Sequence, residues 1–269
     1  LSRRVGATVV EVCSLNLVCL VHFNAGNYSE ALGSALQALE LYRLTDHRVD
    51  EGNLLNTIAI IHHSLGDTDR ALVTYEAALT ANKWLERPEY DVLTLTNMAE
   101  VRAGRHEDLL AVSRDESALE LAREHAPEYQ PEILARLGMS YCALHQLERA
   151  EVCLDEAELI VQQRTGAAAT ESTGFALAMA RGRIATERGD SEAALRSHAA
   201  ALEIARAGSM LEKELVAHAQ LAASYKQLGR FEGEMETALA DMEAGGDDLV
   251  KQRAGRAETL AEAELRQIA

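Results

Sequence analysis

The sequence predicts an all-α fold, a stacked superhelix of about six helical hairpins followed by a C-terminal helix. Three observations lead there. A turn signal followed by an acidic, Ala-rich stretch recurs along most of the 269 residues. Small residues return at fixed offsets behind the turns. The composition also favours helices over strands, with Ala, Leu and Glu dominant, 4% aromatic residues and 3 prolines.

Residues 51–79, EGNLLNTIAIIHHSLGDTDRALVTYEAAL, serve as the template: two amphipathic helices joined by a tight turn at Gly66-Asp67. Equivalent turns are read at Gly26, Gly66, Gly104, His145, Gly189 and Gly229, with spacings of 40, 38, 41, 44 and 40 residues. The offsets five, nine and twelve after the turn give Ala31, Ala35 and Ala38, then Ala71, Tyr75 and Ala78. Ala150, Leu154 and Ala157 follow His145 in the same way, and Ala194, His198 and Ala201 follow Gly189. These offsets share one helix face, and small residues there let paired helices approach closely.

The third repeat departs from the pattern. After Gly104 the offsets fall on Leu109, Ser113 and Glu116, and register returns only near Ala118 and Ala122. Asn97 lies seven residues before Gly104, whereas Asn16 and Asn56 lie ten before their turns. A deletion in the first helix and an insertion in the second account for both shifts. Pro88, Pro127 and Pro131 flank this repeat and are read as inter-hairpin loops, since proline ends helices. The stretch Thr165–Thr173 reads as a further loop leading into a helix.

Two regions are expected: a helical-repeat domain over 1–243 and a capping or linker helix over 244–269. Ala244-Gly245-Gly246 breaks the last repeat, and Asp247-Asp248 can cap a new helix. Val250, Ala254, Ala257, Ala261 and Ile268 form a thin apolar seam on it, compatible with a coiled-coil linker and with a homodimer.

The pattern Gly-x-aromatic-x-x-Ala, then Tyr, then Ala-Leu, resembles the tetratricopeptide repeat. It stands as Gly26-Asn27-Tyr28 with Ala31, and as Gly66 with Ala71, Tyr75, Ala78 and Leu79. The likeness covers residues 10–243 and is to the long-period form of about 40 residues. It implies a right-handed alpha-alpha superhelix, a TPR-like solenoid in which the first helix of each hairpin lines a concave groove. It further implies that Asn16, Asn53, Asn56 and Asn97 face that groove, where an amide can donate and accept toward a peptide backbone. His63, Arg136, Arg183 and Lys226 project from first helices in the same alignment and could meet an acidic ligand. The lysine–asparagine carboxylate clamp of co-chaperone repeats is not reproduced.

Catalytic motifs are missing. The chain has no phosphate-binding G-x-x-x-x-G-K-S/T loop, no G-x-G-x-x-G, no H-E-x-x-H and no G-x-S-x-G. His62 and His63 are adjacent and diverge by about 100 degrees on a helix, so they do not face one metal together. Cys13, Cys19, Cys142 and Cys153 lack zinc spacing and read as buried free thiols in a reducing cytoplasm. Gly245-Gly246-Asp247-Asp248-Leu249 resembles the diguanylate cyclase signature only superficially, because Leu249 replaces the aromatic residue. No cofactor is expected.

A net charge of −17 argues against nucleic acid or anionic lipid as a direct partner. No apolar run approaches the ~20 residues of a membrane span. Glu11 and Asn16 interrupt the apolar N-terminal stretch, which fits the first repeat better than a signal peptide. The expectation is a non-enzymatic scaffold that binds a protein or peptide segment. Its resemblance is to the regulatory region of a bacterial signalling protein, with a GGDEF-type output suggested by the ending LAEAELRQIA. The sensor arm of a transcription regulator is the alternative, and an enzyme on a helical-repeat framework a third.

Overall fold

The structure, a computed structural model, describes residues 2–44, 51–85, 87–163 and 171–228. All its regular structure is helical. Eleven α-helices follow one another among these residues: α1 (Ser2–Asn24), α2 (Tyr28–Leu44), α3 (Glu51–Ser64), α4 (Thr68–Leu85), α5 (Pro88–Gly104), α6 (Asp108–His125), α7 (Gln130–Ala143), α8 (Leu147–Gln163), α9 (Glu171–Glu187), α10 (Ser191–Ala207) and α11 (Leu211–Leu228). The fold is therefore the all-α helical-repeat solenoid the sequence predicts. The second half of the sixth hairpin and the tail over 244–269 lie outside the described residues, as does most of the Thr165–Thr173 stretch; Thr173 itself lies in α9.

Five turns share one geometry. The residue at each bend has positive φ: Gly26 (79°), Gly66 (81°), His106 (59°), His145 (57°) and Gly189 (74°). At each, its N–H and the next one cap the preceding helix. Gly66 donates to the His63 carbonyl and Asp67 to the His62 carbonyl, both at 2.9 Å, and the other four turns repeat the pair. The following helix is then held by side chains where the sequence supplies them. Asp67 Oδ1 accepts from the Arg70 N–H at 3.1 Å, and Asp190 Oδ1 from the Ala193 N–H at 2.9 Å.

This geometry corrects the reading of the third repeat. Its turn is at His106, not Gly104, which lies in the last turn of α5. Counted from His106, offsets five, nine and twelve give Ala111, Asp115 and Ala118, all essentially inaccessible. The repeat needs no deletion or insertion. Two of the three prolines are corrected too, while Pro127 lies in an inter-hairpin connection as read. Pro88 is the first residue of α5 and Pro131 lies in the first turn of α7, where a missing N–H costs nothing, and Pro127 opens a 3₁₀ turn, Pro127–Tyr129.

The described helices form two compact units that divide between Val101 and Arg102. In the first, α1 packs with α2, α2 with α3 and α3 with α4. Its core includes Cys19, Ala35, Leu39, Leu54 and Ile58, and a second cluster joins Ala59, Ala71 and Tyr75 to Met98. In the second unit α7 packs with α8 and α9, and α10 with α9 and α11. Surface ion pairs such as Arg123–Glu156 and Arg188–Glu151 link its successive hairpins.

Seven residues before each turn stands a small buried residue: Cys19, Ala59, Ala99, Gly138 and Gly182. The residue nine after the turn varies in size: Ala35, Tyr75, Asp115, Leu154 and His198. In the fourth and fifth repeats these two positions meet directly. A Cβ on Gly138 would stand 2.7 Å from Leu154 Cδ2, and one on Gly182 would stand 2.3 Å from the His198 ring. A small residue on the first helix thus receives a larger one from the second, as ridges-into-grooves packing requires.

Candidate functional site

Helical periodicity puts Cys13, Asn16, Leu20 and Phe23 on one face of α1, and Asn53, Thr57 and Ile60 on one face of α3. These two faces line a pocket of about 400 Å³ in the first unit, with Tyr42 at the end of α2 completing it. Most of the wall is apolar, from Leu20, Phe23, Leu54 and Ile60. Among the described residues no carboxylate, guanidinium, ammonium or imidazole takes part. Burial raises the Cys19 pKa, which keeps that wall residue a neutral thiol.

Asn16 and Asn53 supply the amides of this pocket. Thr57 turns its hydroxyl onto its own helix, donating to the Asn53 carbonyl at 3.1 Å. Neither asparagine amide makes a side-chain hydrogen bond with another described residue. Two amides with both donor and acceptor capacity therefore face a largely apolar space.

The other predicted residues are placed differently. Asn56 is buried at 8% exposure, and its Oδ1 accepts from Asn97 Nδ2 at 3.1 Å. That bond joins α3 to α5. His63 is half-buried in the last turn of α3, where its carbonyl accepts the Gly66 N–H. Arg136, in the second unit, donates from Nη2 to Asp115 Oδ1 at 2.6 Å, and that carboxylate is only 2% exposed. Arg183 is exposed and stands 3.7 Å from Glu187, one turn further along α9. Lys226 is exposed on α11. Of the eight residues singled out in the sequence, the pocket brings together Asn16 and Asn53.

Sequence reasoning missed Thr57 and Tyr42. The i, i+4 and i, i+7 neighbours of Asn16 and Asn53, namely Leu20, Phe23, Thr57 and Ile60, were available from spacing alone. Tyr42 arrives from the end of another helix, and no local pattern announces it.

A second cavity of about 650 Å³ lies against α2, α4 and the start of α3, beside the Arg43–Glu51 ion pair and the exposed Trp84. It contains none of the predicted residues. Among the described residues no group of three His, Cys, Asp or Glu could hold a metal ion, and no helix is long and apolar enough to cross a membrane.

Comparison with known proteins agrees with this architecture. Residues 11–83 match the tetratricopeptide repeat family. The chain is similar to photosystem I assembly protein Ycf3 of Prochlorococcus marinus (strain NATL1A), 48% identical over 59 residues, which cover 22% of this chain and 32% of Ycf3. It is also similar to response regulator aspartate phosphatase H of Bacillus subtilis (strain 168), 26% identical over 124 residues, which cover 45% of this chain and 32% of the phosphatase. The chain thus spans about a third of the length of these relatives. Among solved structures, a Rap protein complexed with Competence and Sporulation Factor has a similar fold, with a TM-score of 0.70 at 16% identity over 90% of this chain and 66% of that one. Residues 11–83 thus match the tetratricopeptide repeat, and the described helices have the helical-repeat fold of tetratricopeptide-repeat proteins.

Proposed function

We propose that this chain is a non-catalytic interaction scaffold that binds a protein or peptide segment along the first helices of its first unit. The observation that carries the reading is the pair Asn16 and Asn53, two amides with no described side-chain partner in a largely apolar pocket. Such amides gain most from a ligand that both donates and accepts, as a peptide backbone does. The similar Rap structure holds a bound factor, and the similar Ycf3 is named as an assembly protein; both fit a scaffold better than a catalyst.

Within that class the reading is the regulatory region of a bacterial signalling protein. The likeness to a response regulator phosphatase supports a signalling context, and the C-terminal likeness supports a GGDEF-type output. The four free cysteines suit a reducing cytoplasm. His63, Arg183 and Lys226 remain candidates for contacts outside the pocket.

The test is capture from a bacterial lysate on immobilised protein, with partners identified by mass spectrometry. A double variant, Asn16→Ala with Asn53→Ala, runs in parallel after its thermal unfolding is matched to the parent. A partner lost in the variant supports the reading. An unchanged set of captured proteins counts against it.

A further inference from the structure

Repeat register shows why the pocket exists between α1 and α3. Asn16 and Asn56 each stand ten residues before their turn glycines, Gly26 and Gly66. Asn97 stands nine before the true third turn at His106, and Thr57 stands nine before Gly66. The Asn56–Asn97 bond between the second and third hairpins therefore corresponds to an Asn16–Thr57 pairing between the first and second. That pairing is not made. Thr57 is too short to repeat the amide contact, and its hydroxyl is committed to the Asn53 carbonyl. One junction is sealed by an amide–amide bond, while its counterpart holds a pocket of about 400 Å³.

We propose that this open junction takes an uncharged aliphatic stretch of a partner peptide, with Asn16 and Asn53 holding its backbone and Thr57 acting as the residue that leaves the site open. The inference rests on the scaffold reading above and specifies its ligand. A charged side chain entering the pocket would lose its hydration without meeting a counter-charge among the described lining residues, none of which is ionised. An aliphatic side chain loses nothing polar and covers Leu20, Phe23 and Ile60. The peptide bonds on either side then satisfy the two amides. The volume falls within the roughly 300–1,000 Å³ of sites that enclose a ligand, which suits one or two side chains.

The experiment uses a randomised library of end-blocked short peptides, selected against the purified chain and then measured one by one by fluorescence anisotropy. Selected peptides should be enriched in Leu, Ile and Val at their anchor positions. Thr57→Asn, which imports the Asn97 side chain into the open junction, should weaken them by about tenfold or more, the loss of one or two hydrogen bonds. It should leave the melting temperature unchanged or higher. Asn53→Ala, at an exposed position, gives a second variant that should weaken binding without affecting folding. Peptides bound equally by the parent, Thr57→Asn and Asn53→Ala overturn this inference and leave the scaffold reading in place. Selection of charged anchors also overturns it. A library from which nothing is retained overturns both.

Discussion

The His198 ring lies so close to the backbone of Gly182 that a Cβ on Gly182 would stand 2.3 Å from both Cδ2 and Nε2. The ring is held from its other side, with Nδ1 2.8 Å from Ser224 Oγ on α11. It cannot swing away without losing that bond. Gly182→Ala is therefore expected to destabilise the second unit, even though alanine favours helix. Overpacking costs about 1–3 kcal/mol and the propensity gain offsets about 1 kcal/mol. Gly33 is the control: it is exposed on α2, with nothing within 4 Å of a built Cβ. Gly33→Ala should stabilise by about 0.5–1 kcal/mol. Thermal unfolding followed by circular dichroism checks both, and equal effects would refute the close-packing argument.

His198 also sets a pH dependence. Ser224 gives its hydroxyl proton to the Gln220 carbonyl at 3.0 Å, so its oxygen accepts from His198 Nδ1. Nε2 is then unprotonated and faces Gly182. Burial lowers the His198 pKa below its ordinary 6.5. A lowered folded-state pKa means that the unfolded chain takes up a proton first as the pH falls. Stability is therefore fully present above about pH 6.5 and is lost as the pH drops through the folded-state value. His62 acts in the same direction, lowered mainly by burial and opposed by Asp67. His198→Gln should flatten the decline in melting temperature between pH 7.5 and pH 5. A variant that declines as steeply as the parent would remove His198 as its cause.

The turn of the third repeat shows what was legible in the sequence and what was not. Glycine is the usual residue at positive φ, so a search for turns settles on Gly104. The chain instead bends at His106, with φ of 59°. Ala111 and Ala118, seven apart like Ala31 and Ala38 or Ala71 and Ala78, were the available signal for the true register. The displaced turn had a cost at the site as well. It put Asn97 seven residues from its turn and hid its equivalence to Thr57. The asparagines were found because amides on first helices stand out; the open junction was not, because it appears only when two repeats are compared in the right register. Replacing His106 with glycine should relieve the left-handed strain and stabilise by roughly 0.5–1 kcal/mol, after subtracting the greater freedom of glycine in the unfolded chain. Destabilisation by His106→Gly in a thermal melt would show that its side chain contributes more than the backbone loses.

Arg136 illustrates how a cation on a first helix can be consumed by the fold. Its partner Asp115 occupies the buried position nine residues after the turn, where other repeats hold Ala, Tyr, Leu or His. Removing that carboxylate takes away the Arg136 guanidinium's 2.6 Å partner at a site where the guanidinium itself is only 20% exposed. Asp115→Ala is expected to cost about 3 kcal/mol. The double replacement Asp115→Leu with Arg136→Met should recover most of the loss, since a well-packed apolar pair avoids desolvating either charge. Chemical denaturation of the three proteins checks this. Full stability in Asp115→Ala would return Arg136 to the set of cations available to a ligand.

The Asn56–Asn97 bond separates structural amides from those offered to a partner. Asn56 is buried and its Oδ1 is taken by Asn97, so the fold itself gains from this residue. Asn56→Ala and Asn97→Ala should each lower stability by about 1 kcal/mol, and the double variant should lose less than the sum. The coupling expected from one neutral side-chain hydrogen bond is about 0.5–1.5 kcal/mol. Asn16→Ala, which removes an amide with no described side-chain partner, should leave stability almost unchanged. The contrast reverses for binding: Asn16→Ala weakens a bound peptide, whereas Asn56→Ala acts on it only through folding. Strictly additive losses at Asn56 and Asn97 would mean that their bond contributes nothing to stability.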